Sequence, residues 1–213
     1  MKQTESEQIN EEILIAIDRG EAIGANLRKM IGQHDLQPDL PNLLTSFGAI
    51  CLDVEFGPEI NALAGFKPKK LIATEPTGGR AMEHPFADFN GQVIKGVSDH
   101  CQIPVDLIRK NPLPALDKIK IEKPNFQVGL ITFLNAFPDS QTPTYLTELA
   151  KSVAPFLADG GQLIISTVEN DACTAERLEE SQKLMKIYAQ GLSSKFLEKD
   201  YGCAGRLFII CQK

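Results

Sequence analysis

The sequence predicts an α/β chain: an open, doubly wound, mostly parallel sheet of seven strands with an antiparallel C-terminal hairpin and an N-terminal helical cap. Three observations predict it. From Ser46 onward, short apolar runs alternate with longer polar stretches, as in strands buried on both faces by crossover helices. The last two strand-like runs are joined only by Lys199–Arg206, too short for a helical crossover and suited to a hairpin. The first thirty residues instead carry apolar side chains at helical spacing.

The elements follow in order. Ile9, Ile13, Ala16 and Ile17 form a stripe that restarts after Gly20 as Ile23, Leu27, Met30 and Ile31, which predicts two short helices or one bent helix. Gln33–Pro41 holds two prolines and reads as a linker. Residues 1–45 are thus expected to be a helical cap and linker, and 46–213 the α/β domain. Strands are expected at Ala49–Val54, Lys70–Thr74, Val93–Val97, Val128–Leu134, Gln162–Thr167, Lys195–Glu198 and Leu207–Cys211. Helices are expected at Ile60–Ala64, Gly79–Ala87, Thr144–Leu157 and Ala172–Gln190.

Composition narrows the function. The 213 residues are 43% hydrophobic, ordinary for one globular domain with a small accessory element. Lys+Arg 22 against Asp+Glu 28 gives a net charge of −6, which argues against a dedicated surface for nucleic acid or anionic membrane and for a small-molecule partner. The five cysteines are scattered, without a CxxC pair, so neither a disulfide framework nor a zinc site is expected and a reducing cytoplasm is the default location. The polar, acidic start MKQTESEQINEE is not a signal peptide. No apolar run approaches the ~20 residues of a membrane span. There is no G-x-x-x-x-G-K-[ST] and no G-x-S-x-G, which sets aside P-loop and α/β-hydrolase chemistry.

The chemistry-bearing residues cluster after the strands, where a parallel sheet presents ligands. After the first strand comes Asp53-Val54-Glu55-Phe56-Gly57-Pro58-Glu59; the second ends Thr74-Glu75-Pro76, with Met82 beyond. The expected third strand is followed by Asp99-His100-Cys101-Gln102-Ile103-Pro104, and the fourth runs from Phe126-Gln127 to Phe133-Leu134-Asn135. Ala158-Asp159-Gly160-Gly161 then turns a helix into Gln162–Thr167. Taken singly, each has a plain structural explanation: a strand end, a surface acid, a helix cap, or, for His100, a lone loop histidine that packs or meets solvent rather than acting as a base.

Taken in order over about residues 46–213, these segments resemble the class I S-adenosylmethionine-dependent methyltransferases. That family opens with a strand, an acid, an apolar residue and G-x-G-x-G. Here Asp53 takes the acid's place and Gly57 the central glycine's, while Glu55 and Glu59 replace the outer glycines. A register with Glu55 as the acid would leave Asp53 buried in the strand, at a cost. The resemblance implies S-adenosylmethionine, or S-adenosylhomocysteine, held by Asp53, Glu55 and Gly57. It implies ribose hydroxyls on Glu75 beside Pro76, and the adenine amino group on Asp99 with a ring nitrogen on the backbone N–H of His100. Asn135 would then lie near the transferred methyl. Glu55 and Glu59 add bulk and negative charge beside the cofactor's carboxylate, yet one of them can instead pair with its ammonium or sulfonium group. Two other readings stay open: a methyltransferase-shaped protein that binds a ligand or partner without methyl transfer, and a nicotinamide oxidoreductase. Val105–Asn125 has no counterpart in the resemblance.

Overall fold

The computed structural model describes residues 4–33, 39–54, 57–75, 88–134, 142–167, 174–189, 191–202 and 205–213. The N-terminal stripe forms one continuous helix of 29 residues, α1 (Glu5–Gln33). Gly20 does not interrupt it. It is a notch for α3 (Pro58–Ala64): a Cβ at Gly20 would stand 2.5 Å from both the Asn61 Cβ and the Pro58 carbonyl oxygen. Asn61 Nδ2 donates to the Ile17 carbonyl at 2.7 Å, and Cys101 Sγ donates to Asn61 Oδ1 at 3.0 Å. These bonds tie α1 and α3 to α4 (Phe89–Cys101). The expected linker runs into a helix that the prolines obscured, α2 (Leu40–Phe47), with Pro41 in its first turn, where a missing N–H costs nothing.

Seven strands follow: β1 (Ala49–Leu52), β2 (Leu71–Glu75), β3 (Val105–Arg109), β4 (Val128–Phe133), β5 (Leu157–Thr167), β6 (Ser193–Glu198) and β7 (Leu207–Gln212). Their order is β3-β2-β1-β4-β5-β7-β6. β1 to β5 pair in parallel, while β7 runs antiparallel to both β5 and β6. Six strands therefore point one way and β7 opposes them, with the expected hairpin at the end. One face packs under α1, α2, α3 and α4; the other packs under α5 (Pro112–Glu122), α6 (Pro143–Val153) and α7 (Ala175–Tyr188).

The expected third strand is corrected. Val93–Val97 lies inside α4, where Phe89, Asn90, Val93, Ile94 and Val97 are buried. Those positions recur at i, i+1, i+4, i+5 and i+8, one helical face; a short run rich in β-branched residues had imitated a strand. The true β3 carries Asp106 and Arg109 and is half-exposed, as an edge strand can be. The stretch without a counterpart therefore contains β3 and α5. The expected turn at Ala158–Gly161 also differs: α6 ends at Val153, a short 3-10 turn spans Ala154–Phe156, and those four residues lie within β5. There the pairing jumps from Val128↔Leu157 to Leu130↔Gln162, a bulge accommodated by Gly160 at φ 79°.

The strand order reverses beside β1, whose neighbours are β2 and β4. The chain leaves β1 toward one side and returns at β4 on the other. In open sheets of this kind ligands bind in the crevice outside the carboxyl ends of the strands at such a switch point.

Candidate functional site

β1 is apolar and fully buried, and Asp53 follows it with φ 60°. A left-handed aspartate is uncommon and needs outside support. Thr74 provides it: its Oγ1 accepts from the Asp53 N–H at 2.9 Å and its carbonyl accepts from the Val54 N–H at 2.8 Å. The ends of β1 and β2 are thereby locked together. Gly57, at φ 82°, is the N-cap of α3, with Pro58 in the first turn. A side chain there would be strained whatever the space around it. Glu59, in the same turn, is only 6% exposed. Burial, together with the negative charge of Glu59, pushes the Cys51 thiol far above its ordinary range, so Cys51 is an inert core thiol.

Glu75 closes β2 and is 7% exposed. It stands in register with Arg109 at the end of β3, and Arg109 Nε lies 3.4 Å from its Oε2. Arg109 also pairs with Asp88, the left-handed residue that precedes α4. Burial pushes the Glu75 carboxyl above the ordinary carboxylate range; Arg109 and the Asn90 amide pull the other way and do not cancel it. Asn90, in the first turn of α4, is 3% exposed, and both polar atoms of its amide lack a well-formed hydrogen bond, as does Glu75 Oε2. Buried polar groups are rarely left so. A buried acid and a buried amide thus stand together at the carboxyl edge.

Across the crevice β4 ends at Phe133, whose ring centroid lies 6.3 Å from that of Tyr145. Thr142 caps α6 by accepting from the Tyr145 N–H. Burial and the negative charge of Asp53 push the Tyr145 phenol up to about 12. Tyr145 is therefore neutral at physiological pH and lies within electrostatic reach of Asp53.

Of the residues singled out in the sequence, the fold brings Asp53, Gly57 and Glu75 to one edge. Asp99 and His100 are exposed in the last turn of α4, on the amino-terminal side of β3. The expectation for them rested on a strand at Val93–Val97, and their loop instead leads into β3 at the opposite edge. Glu55, Pro76 and Asn135, and the expected helix Gly79–Ala87 with Met82, lie outside the described residues. The site also contains Thr74, Asn90, Arg109 and Tyr145, which sequence reasoning did not select. Arg109 alone had a usable signal, since Val105–Ile108 followed by Arg-Lys-Asn-Pro is a strand running into a proline-initiated helix. Among the described residues no group of three or more His, Cys, Asp or Glu is placed to hold a metal ion, and no helix is long and apolar enough to cross a membrane.

No protein-family model matches the chain, and a comparison of its sequence with curated proteins finds no match. Its structure matches solved methyltransferases. An O-methyltransferase from Bacillus cereus in complex with S-adenosylhomocysteine aligns with 92% of this chain and 90% of its own, at 16% identity and a TM-score of 0.54. The TDP-rhamnose 3'-O-methyltransferase of calicheamicin biosynthesis aligns with 100% of this chain and 96% of its own, at 11% identity and a TM-score of 0.56. Fibrillarin from Aeropyrum pernix, with natively bound S-adenosylmethionine, aligns with 76% of this chain at 15% identity and a TM-score of 0.51; the chain spans 65% of fibrillarin's length. The fold is that of the S-adenosylmethionine-dependent methyltransferases.

Proposed function

We propose that the protein is an S-adenosylmethionine-dependent methyltransferase acting on a small molecule. The observation that carries this reading is the buried Glu75–Asn90 pair at the end of β2, beside the crevice where the strand order reverses. In this reading Glu75 accepts the two ribose hydroxyls, with the Asn90 amide beside it. Asp53, held in its turn by Thr74, accepts the ammonium of the amino-acid part. Gly57 lets the backbone approach that part closely. Glu55, Pro76 and Asn135 complete the surroundings by position in the sequence. Arg109, which pairs with Glu75 and Asp88, restrains the acid's orientation.

When bound, the cofactor supplies an electrophilic methyl on a positively charged sulfur. The chain's task is then to bind, orient and exclude water, and such positioning accounts for a large part of the barrier lowering in bimolecular transfers. Tyr145, backed by the buried Phe133 ring, stands on the acceptor side, and its neutral phenol orients an acceptor without competing for its proton at physiological pH. Likeness to the Bacillus cereus O-methyltransferase and to the TDP-rhamnose enzyme, together with the net charge of −6, supports a small acceptor.

Calorimetric titration with S-adenosylhomocysteine beside NADH tests the reading. Binding of the first alone is expected. Hydrogen bonds to a charged group are worth about 1.5–3 kcal/mol each, so Glu75→Ala should weaken that binding at least about tenfold. Binding of neither ligand, or of NADH alone, overturns the proposal, and unchanged affinity in Glu75→Ala removes Glu75 from the site.

A further inference from the structure

The opposite edge of the sheet carries a second cavity, of about 640 Å³. It opens where β2, β3 and β4 begin, and its wall includes Phe47, Lys69, Lys70, Asn125, Phe126 and Gln127. Glu75 lies at the far end of β2, roughly 20 Å away at ~3.3 Å per strand residue. The cavity is therefore separate from the carboxyl edge.

The chemistry of this cavity is specific. Phe47 is 38% exposed, at the C-terminus of α2. The Phe126 ring is flanked by two ammonium groups, Lys70 Nζ at 5.8 Å and Lys123 Nζ at 5.9 Å from its centroid. Both ammoniums share one carboxylate, that of Asp106, at 3.4 and 2.7 Å, and together they hold that acid below its ordinary range, with Lys123 the larger influence. Asp106 lines the cavity itself and offsets Lys70, while Lys123 also feels the charge of Glu122. Lys69 adds a further positive charge and makes no ion pair among the described residues. The rim is thus positive in a chain whose net charge is −6. The side chains of Asn125 and Gln127 are exposed and make no hydrogen bond to any described residue.

We propose that this amino-edge cavity binds a mononucleotide. Its parts match the ligand's parts. Phe47 and Phe126, both on the cavity wall, offer aromatic surface for a flat heterocycle. Asn125 and Gln127 each present a donor and an acceptor to the edge of that ring. Lys69 and Lys70 meet an anionic phosphate. The volume lies within the range of small-ligand pockets. A simple aromatic acid would leave both amides unused, and inorganic phosphate would leave the aromatic face bare. This inference does not depend on methyl transfer at the other edge.

The test is calorimetric titration of the full chain with AMP, GMP, CMP and UMP, beside adenosine, inorganic phosphate and S-adenosylhomocysteine. At least one nucleotide should bind about tenfold or more tightly than both adenosine and phosphate. Phe126→Ala should weaken it about tenfold, in keeping with loss of a stacked base. Lys69→Glu, an exposed substitution that leaves the core untouched, should weaken it about tenfold by replacing attraction with repulsion. Neither change should alter S-adenosylhomocysteine affinity. If Phe126→Ala loses its cooperative melting transition, Lys69→Glu and Gln127→Ala decide the matter. The proposal is overturned if no nucleotide exceeds phosphate, if nucleotide binding is indifferent to the Lys69 change, or if S-adenosylhomocysteine displaces the nucleotide.

Discussion

Glu75 is held in the fold at a cost to stability. Its folded carboxyl is raised, chiefly by burial, so the folded state holds the proton more tightly than the unfolded chain does. The sign follows from linkage: the contribution is most favourable below the unfolded carboxylate value and is lost as pH rises through the raised folded one. Glu75→Gln should therefore melt at a higher temperature than the parent at about pH 7, with the gap closing toward about pH 4, where both side chains are neutral. The same change should weaken S-adenosylhomocysteine by about tenfold, since a neutral amide accepts hydroxyl protons less strongly. A variant that melts lower at neutral pH would show that the pairing with Arg109 outweighs burial. At this scale the sequence revealed the residues that end strands. Asp53 and Glu75 close apolar runs and Gly57 stands in the turn after the first of them, and strand ends are readable from such runs. Asn90, Arg109 and Tyr145 join them only through α4, β3 and α6, whose placement depends on long-range packing that no local pattern records.

The elements were legible wherever their period was unambiguous. The buried runs of β1, β2, β4 and β7 stand close to where the sequence puts them. α2 was hidden because proline reads as a breaker, although in a first turn it is tolerated. α4 and β3 exchanged identities: α4 is short of helix-favouring residues around Val93, and β3 sits at a sheet edge, where polar side chains are accommodated. Gly20 and Gly96 separate two meanings of glycine on α1 and α4. A Cβ at Gly20 meets the Pro58 carbonyl and the Asn61 Cβ at 2.5 Å, and neither can step aside. Gly20→Ala should cost about 1–3 kcal/mol as overpacking, offset only in part by helix propensity. A Cβ at Gly96 meets only side-chain atoms, Cδ1 and Cγ1 of the partly buried Ile13, which can shift where backbone cannot. Gly96→Ala should change stability by under about 1 kcal/mol, because alanine's helix propensity offsets the crowding. Urea unfolding of the two variants reads both numbers, and equal effects would contradict the packing assigned to α1.

At the scale of the whole molecule, the alternation of apolar runs and the short last connection specified the sheet and its closing hairpin, because strands buried on both faces must be apolar throughout. The strand order was not written in the same way. It follows from which crossover packs on which face, and it decides that the crevice opens between β1 and β4. In the proposed function this carboxyl edge, and not the amino-edge cavity, receives S-adenosylmethionine. Hydrogen–deuterium exchange of the full chain with and without saturating S-adenosylhomocysteine tests it directly. Slowed exchange is expected in the segments around Asp53 and Gly57, at Thr74–Glu75 and in the first turn of α4, with no change at Lys69–Lys70 or Asn125–Gln127. Protection confined to the amino edge, or no protection anywhere, would contradict it.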